Sequence, residues 1–269
     1  MDNVLFYFAG MPVYFYGFFT SLGLLFGTMS ALSQGRRRGI SWYKMFDFIL
    51  GTALVFFIAG RVSVLFGQYG FAAFLRPWKI ITEISNGLNI KTGLIFGIVY
   101  GFLSSVRHKI FGLDFLDVIT PGILIIRIFS SLGSTVFGRG TNVPWAIHLG
   151  ELKLHPLSLY AALGYYIIYF IEKHIRRNLR FEGQVFLSAF SMIIWLHWLL
   201  LFVSETENQI WFWLYPLLGI LGIALWSFCH ANSPITRKKH RGVVFWLFQF
   251  AVFGVVVFFM ISFYYSRFV

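Results

Sequence analysis

An arginine near the end of an apolar span opens the stretch Arg127-Ile-Phe-Ser-Ser-Leu-Gly-Ser-Thr-Val-Phe-Gly-Arg-Gly-Thr-Asn-Val-Pro-Trp145, which continues as a short polar segment rich in glycine. Ten residues later, His155-Pro-Leu-Ser-Leu-Tyr160 begins another apolar span. A charged side chain is costly in hydrocarbon, so an arginine inside a membrane span marks a candidate site for an anionic ligand. The two stretches predict helices in a bilayer with a polar site between them.

The composition of the chain supports this interpretation. Of the 269 residues, 58% are hydrophobic, 21% are aromatic and only 12% are charged, which is typical of a polytopic membrane protein and not of a soluble domain. We predict an all-α integral membrane protein that forms a single membrane domain over 1–269. Apolar stretches of about twenty residues, the length needed to cross a bilayer, lie at 12–33, 45–67, 88–106, 112–132, 156–172, 183–204, 210–230 and 243–264.

The basic residues predict the orientation of these eight spans. Fourteen of the 22 Lys and Arg residues lie in alternate connections, those after the first, third, fifth and seventh spans. Because cytoplasmic loops carry the excess of positive charge, we place both termini on the outer face, together with a small extracytoplasmic head at 133–155. The net charge of +12 follows from the same loops, and contact with anionic lipid headgroups explains it without nucleic acid.

Polar residues of five spans then share one depth in the outer half of the membrane: Arg61, Lys91, Thr92, Arg127, Ser130, His155, Ser158, Tyr160 and His197. Two arginines at one depth suit a phosphate, since the planar guanidinium binds two oxygens at once. The predicted ligand is a phospholipid headgroup. Simpler roles stay open: Arg61 extending to the headgroups, His197 as a neutral bundle histidine, and Thr92 and Ser130 as interhelical hydrogen-bonding residues.

These residues resemble the signature of a known family. Five short motifs look like the central region of the prolipoprotein diacylglyceryl transferases. They are Arg127–Ser130, Gly138-Arg139, Pro144-Trp145, His155-Pro156 and Leu159-Tyr160. The resemblance covers about residues 10–230 in unbroken order, which is more specific than one motif. It includes Tyr16-Gly17, Gly60-Arg61, the stretch 86–93, Asp117, Pro121 and 183–186.

The resemblance implies an activity and a location. The family transfers the diacylglyceryl group of phosphatidylglycerol to the thiol of a lipobox cysteine in a secreted precursor, and glycerol phosphate is released. It implies a multi-pass protein of the bacterial inner (cytoplasmic) membrane, with its site in the outer leaflet. It implies neither a metal nor another cofactor, and the sequence has no compact set of Cys, His and acidic residues at metal-binding spacing.

The sequence departs from the family pattern where the family performs its chemistry. Thr92 replaces a histidine, and an ungapped count places His197 where the family has an arginine. The family's other polar residues become Ser130, Thr135, Leu157-Ser158, Ala161, Ile193, Leu201 and Ser204. Either the site is rebuilt around another base or the chain binds lipid without catalysis. A transporter would show internal symmetry, which this sequence lacks.

We therefore assign the candidate site residues as hypotheses. The predicted catalytic residues are Arg127 for the phosphate and His197 or His155 as the base, because a histidine can exchange a proton near neutral pH. The predicted substrate-binding residues are Tyr16, Arg61, Thr92, Gly93, Ser130, Gly138, Arg139 and Tyr160. The last span, 243–264, is an addition to the family pattern, either a docking helix for a partner or a lipid-facing anchor.

Overall fold

Eight helices dominate the described part of the chain. The computed structural model describes residues 4–8, 10–71, 78, 87–110, 112–205, 209–233 and 243–268. The helices are α1 (Phe15–Arg37), α2 (Trp42–Tyr69), α3 (Ile90–Arg107), α4 (Leu113–Gly133), α5 (Leu157–Ile175), α6 (Gln184–Leu201), α7 (Gln209–Ala231) and α8 (Val243–Ser266). Each predicted span is a helix, and no helix end differs from its predicted position by more than four residues.

The helices have the length and composition of membrane spans. Seven of those described are long and apolar enough to cross a bilayer. The remaining one, α5, carries Glu172-Lys173-His174 in its last turn, and these polar residues lower its mean hydropathy. Its buried face includes Ala162, Tyr165 and Ile168, which pack against neighbouring helices. The predicted all-α polytopic membrane fold is confirmed.

The chain divides into two compact units. The first consists of Met1–Ala31 and Leu116–Val269, and the second of Leu32–Phe115. The first unit has a core of buried apolar side chains, in which Leu124 of α4, Tyr165 of α5 and Ala189 of α6 pack together. That the whole chain acts as one membrane domain stays a prediction.

In the second unit, α2 and α3 pack closely through small residues. Gly93, Gly97 and Gly101 are buried on one face of α3 at a spacing of four residues. A Cβ atom at Gly93 would lie 2.7 Å from the carbonyl oxygen of Phe56, so a larger residue there would separate the helices. Small residues at this spacing are a common way for membrane helices to approach one another.

Two short antiparallel hairpins complete the described structure. Strand β1 (Val4–Phe8) pairs with β2 (Met11–Tyr14) ahead of α1. Strand β3 (Ile147–Leu149) pairs with β4 (Leu152–Leu154) in the segment between α4 and α5. The sequence pattern predicts neither hairpin, because strands of three to five residues are too short to show a clear alternation. The predicted head at 133–155 contains the second hairpin, and its outer-face location stays a prediction.

Candidate functional site

A cavity of about 250 Å³ lies in the first unit, and polar residues of several elements line it. Its walls come from the start of α1, the end of α4, the start of α5 and the end of α6. The lining residues are Tyr16, Arg127, Ser130, Ser131, Ser134, Val136, Leu157, Ser158, Ala161, Tyr165, His197 and Leu200. Arg127, Ser130, His197 and Tyr16, which were predicted from sequence as site residues, are thus brought together.

Arg127, Tyr165 and His197 form one chain of hydrogen bonds along the cavity wall. Two guanidinium nitrogens of Arg127, Nε and a terminal N–H, donate to the Tyr165 hydroxyl oxygen at 3.1 and 2.7 Å. His197 Nδ1 lies 2.8 Å from the carbonyl oxygen of Ile193, which can only accept, so Nδ1 carries the proton. In a neutral imidazole, Nε2 is then an acceptor. The Tyr165 hydroxyl, 3.2 Å from Nε2, donates to it.

The charge of Arg127 is open to the cavity. Its side chain is exposed there, and its guanidinium carbon lies 5.0 Å from the centre of the Tyr165 ring. Across the ranges that the structure describes, no carboxylate forms an ion pair with Arg127, whose hydrogen-bond partner is a neutral hydroxyl. A guanidinium has five N–H donors, so several can reach a ligand. A positive charge in this setting favours an anion.

Serine side chains shape the rim of the cavity. Ser130 Oγ donates to the Arg127 carbonyl oxygen at 3.3 Å. Ser158 Oγ accepts from the Val136 N–H and donates to the Val136 carbonyl oxygen, both at 2.9 Å. Ser158 therefore fixes the segment that follows α4 against the start of α5.

At the opposite end of α4, Asp117 connects this helix to α6. Its side chain is 1% exposed, and its two carboxylate oxygens accept from the N–H groups of Gly183 and Phe186, each at 2.9 Å. The first N–H groups of a helix have no partner within the helix, and a carboxylate there is favourable. This contact sets the position of α6, which carries His197, relative to α4, which carries Arg127.

His155 and Tyr160 belong to a separate cluster. The Trp145 indole N–H donates to the Tyr160 hydroxyl at 2.7 Å, and His155 Nδ1 lies 3.1 Å from the same oxygen. Neither His155 nor Tyr160 lines the cavity of Arg127 and His197. Their predicted roles stay predictions, and the structure does not place them at the same cavity.

Gly138 and Arg139 connect the segment after α4 to the end of α6. The Arg139 N–H donates to the Val203 carbonyl oxygen at 2.8 Å, and its guanidinium Nε donates to the Ser204 carbonyl oxygen at 2.7 Å. A Cβ atom at Gly138 would collide with the Val203 carbonyl oxygen. Glycine is thus needed here for close approach of two backbones, and the predicted ligand contacts of both residues stay predictions.

Arg61, Thr92 and Gly93 lie in the second unit. Arg61 is 2% exposed, and its guanidinium donates to the Gly87 carbonyl oxygen. Thr92 Oγ1 lies 3.1 Å from Ser63 Oγ, which links α3 to α2. These are contacts within that unit, so the prediction that Arg61 and Thr92 share a ligand with Arg127 stays a prediction.

Ser131, Ser134 and Tyr165 line the cavity but are not among the residues predicted from the sequence, and Tyr165 is the one that contacts both Arg127 and His197. It lies one helical turn after Ala161, on the same face of α5, and both line the cavity. That spacing was the available signal. The apolar span that contains Tyr165 has several other tyrosines, and only the contact with Arg127 of α4 distinguishes Tyr165 from them.

A metal centre has no ligand set in the described part of the chain. No three His, Cys, Asp or Glu side chains come together within the described ranges. The prediction that the site uses neither a metal nor another cofactor stays a prediction.

Comparison with known proteins identifies the family. Residues 3–203 match the family model for prolipoprotein diacylglyceryl transferase. The chain is similar to proteins named phosphatidylglycerol–prolipoprotein diacylglyceryl transferase. That of Vibrio cholerae serotype O1 is 31% identical over 226 residues, 78% of this chain and 81% of that protein. That of Clostridioides difficile (strain 630) is 26% identical over 196 residues, 71% of this chain and 79% of that protein. The chain therefore belongs to the prolipoprotein diacylglyceryl transferase family.

Proposed function

We propose that this protein transfers the diacylglyceryl group of phosphatidylglycerol to the cysteine thiol of a lipobox in a secreted precursor protein. The observation that carries the proposal is the positive charge of Arg127, which is open to a polar cavity and has no carboxylate partner among the described residues. The named activity of the similar proteins supports the same substrate pair.

The first step is binding of the anionic headgroup. Arg127 binds the phosphate through the N–H groups that Tyr165 does not occupy, and a charge-assisted contact of this kind is stronger than a neutral hydrogen bond. The hydroxyls of Ser131 and Ser134, which also line the cavity, are further donors for phosphate or glycerol oxygens.

The second step makes the nucleophile. A cysteine thiol has an ordinary pKa of about 8.5, so transfer near neutral pH needs a base or local positive charge. One Arg127 N–H leaves the Tyr165 oxygen for the phosphate, and the freed lone pair takes the thiol proton while the hydroxyl proton of Tyr165 passes to His197 Nε2, the acceptor 3.2 Å away. Support for His197 as the base, rather than His155, is that His197 lines the cavity and His155 does not.

The third step is displacement at the glycerol carbon bonded to the phosphate oxygen. The thiolate sulfur forms a bond to that carbon, the carbon–oxygen bond breaks, and the electron pair leaves on the phosphate of glycerol phosphate. Arg127 stabilises the charge that develops on this leaving group, which is the contribution expected of a fixed positive group in a poorly solvated site. The proton held by His197 is then released.

We also propose that the cavity faces the outer leaflet of the bacterial inner membrane. Basic residues end α1 and α5, namely Arg36, Arg37 and Lys173. The cavity is lined instead by residues at the start of α1 and of α5, such as Tyr16 and Leu157. Since the positive ends of membrane helices lie in the cytoplasm, the cavity belongs to the opposite face.

The alternative function is that of a relative that binds phospholipid or lipoprotein without transferring a group. One observation favours it. Leu157 and Ala161 line the cavity where the resemblance predicts a serine and a glutamate, so part of the wall has lost polar groups. Binding by Arg127 is common to both functions.

The test is a transfer assay with a matched pair of histidine variants. Purified protein in phosphatidylglycerol nanodiscs, with labelled acyl chains and a lipobox peptide, is expected to yield labelled peptide and free glycerol phosphate. His197→Gln is expected to reduce transfer by about 10²- to 10⁴-fold, the usual contribution of a general base, and to leave lipid binding unchanged. His155→Gln is the control and is expected to keep most of the activity.

Two outcomes would change the conclusion. Lipid binding by the wild-type protein without any transfer would favour the alternative function. Loss of transfer in His155→Gln, with full activity in His197→Gln, would move the base to the cluster of His155 and Tyr160.

A further inference from the structure

The C-terminal end of α8 packs into the first unit and does not only face lipid. This helix lies beyond residues 3–203, which the family model matches. Most of its length exposes apolar side chains, as expected of a lipid-facing anchor. Its last turns differ, because Tyr264 is fully buried and packs with Ile147 of the β3–β4 hairpin and Leu159 of α5.

Arg267, one residue after α8, caps the end of α4. Its guanidinium donates to the carbonyl oxygens of Leu132 at 2.6 Å, Gly133 at 3.3 Å and Ser134 at 3.4 Å. The last carbonyl groups of a helix have no partner within the helix, and a cation there is favourable. Partial burial lowers the pKa of Arg267 from its ordinary value, yet a guanidinium stays charged near neutral pH.

The capped helix end is where α4 meets α1. A Cβ atom at Gly133 would lie 2.9 Å from the Phe15 carbonyl oxygen and 3.1 Å from the Tyr16 Cα atom. The Arg267 guanidinium carbon also lies 4.5 Å from the centre of the Phe15 ring. Tyr16 and Ser134, on the two sides of this contact, both line the cavity. Arg267 thus holds together two elements that form one edge of the cavity.

A second contact connects the end of α8 to the segment after α4. The Tyr265 hydroxyl donates to the Trp145 carbonyl oxygen, just before strand β3. The end of α8 therefore holds that segment at Leu132–Ser134 through Arg267 and near the hairpin through Tyr265.

We infer that Arg267 is a positioning residue of the lipid cavity and that the C-terminal helix α8 is a structural part of this site. The fork of the guanidinium, which reaches three carbonyl oxygens at once, keeps Ser134 and Tyr16 at the spacing that the ligand needs. The ligand part of this inference rests on the proposed function, whereas the capping part does not.

The test compares Arg267→Met with Arg267→Lys in the full chain in phosphatidylglycerol nanodiscs. Hydrogen–deuterium exchange of the amides at 134–138 reports the capping contact, since Ser134, Val136 and Gly138 N–H groups are hydrogen-bonded in the native structure. Phosphatidylglycerol affinity reports the cavity. The control is Arg107→Met, which removes an exposed arginine at the end of α3.

Arg267→Met is expected to speed exchange at 134–138 and to weaken phosphatidylglycerol binding by about tenfold, the effect of losing one charge-assisted contact. Exchange in the middle of α6 and α7 is expected to stay unchanged. Arg267→Lys is expected to recover only part of both losses, because an ammonium lacks the planar fork. Arg107→Met is expected to match the wild type in both measurements.

Unchanged exchange at 134–138 in Arg267→Met, or full recovery by lysine, would overturn the inference. If Arg267→Met does not fold, amide exchange and lipid affinity are measured on Arg267→Lys instead. Wild-type values of both in Arg267→Lys would then count against the positioning role of Arg267. Faster exchange with unaltered lipid affinity would also overturn the positioning role. If instead the wild-type protein binds no phosphatidylglycerol, the proposed function fails, while the exchange result still tests the capping contact by itself.

Discussion

Arg127 and Arg61, predicted from sequence to share one phosphate, have opposite environments. Arg127 is exposed in a cavity and donates to one neutral hydroxyl, that of Tyr165. Arg61 is 2% exposed and donates to the backbone oxygen of Gly87. A guanidinium open to a cavity can bind a ligand, whereas one enclosed by protein mainly stabilises the fold. The predicted depth of an arginine in the membrane therefore does not tell whether it binds a ligand or stabilises the fold.

The largest expected effect comes from Arg127→Gln. The variant loses the charge that holds the leaving phosphate, so transfer is expected to fall by about 10³-fold, comparable to loss of a key group that stabilises developing charge. Phosphatidylglycerol affinity, measured by titration in nanodiscs, is expected to fall with it. Arg107→Gln, an exposed arginine at the end of α3, serves as the control. Normal affinity in Arg127→Gln would remove the basis of the proposed function.

Arg61→Met is expected to change stability rather than binding. Methionine keeps much of the apolar stem but leaves the Gly87 carbonyl oxygen without this donor, which costs about 1–3 kcal/mol in the free energy of unfolding. Denaturation of the purified protein measures the loss, and lipid affinity of the folded fraction is expected to stay normal. An unaltered stability together with weakened lipid binding would instead place Arg61 with Arg127.

Tyr165→Phe tests the hydrogen-bonded chain between Arg127 and His197. It removes the hydroxyl through which the thiol proton reaches His197 and keeps the ring, so transfer is expected to fall by about 10²-fold while lipid affinity changes little. The matched control is Tyr215→Phe, whose ring centre lies 6.0 Å from that of His197, as does that of Tyr165. Equal losses in both variants would show that the Tyr165 hydroxyl has no special role.

The smallest effect is expected from Thr92→Val in the second unit. Its hydroxyl lies 3.1 Å from Ser63 Oγ, a contact between two helices. Such interhelical hydrogen bonds contribute about 0.6 kcal/mol on average, so a small loss of thermal stability with normal transfer is expected. Strongly reduced transfer in this variant would make Thr92 a substrate-binding residue, as the family resemblance predicted.

Much of the fold could be predicted because the bilayer imposes a simple rule on the sequence. A helix needs about twenty mostly apolar residues to cross the hydrocarbon layer of a bilayer, and all eight predicted spans are helices. The hairpins were missed for the opposite reason. Strands such as Ile147–Leu149 and Leu152–Leu154 are stabilised by pairing and by contacts with Tyr264 and Leu159, and no local pattern shows this.

The candidate site was predicted in part. Arg127 and His197 stood out as polar residues in apolar spans, and the cavity contains both. Tyr165 did not stand out, since its role depends on Arg127, which is 38 residues away in the chain. His155 shows the converse, because its motif is clear in the sequence but its side chain bonds to Tyr160 outside the cavity.

The amino-acid sequence by itself determined the membrane class, the helical spans and the family, because these depend on apolar length and on the order of motifs along the chain. Only the tertiary structure decided which polar residues meet. It joined Arg127 to Tyr165 and His197, enclosed Arg61, and brought Arg267 to the end of α4, 135 residues away. The physical reason is that a guanidinium acquires its role from the oxygens and the open space around it, and folding alone sets both.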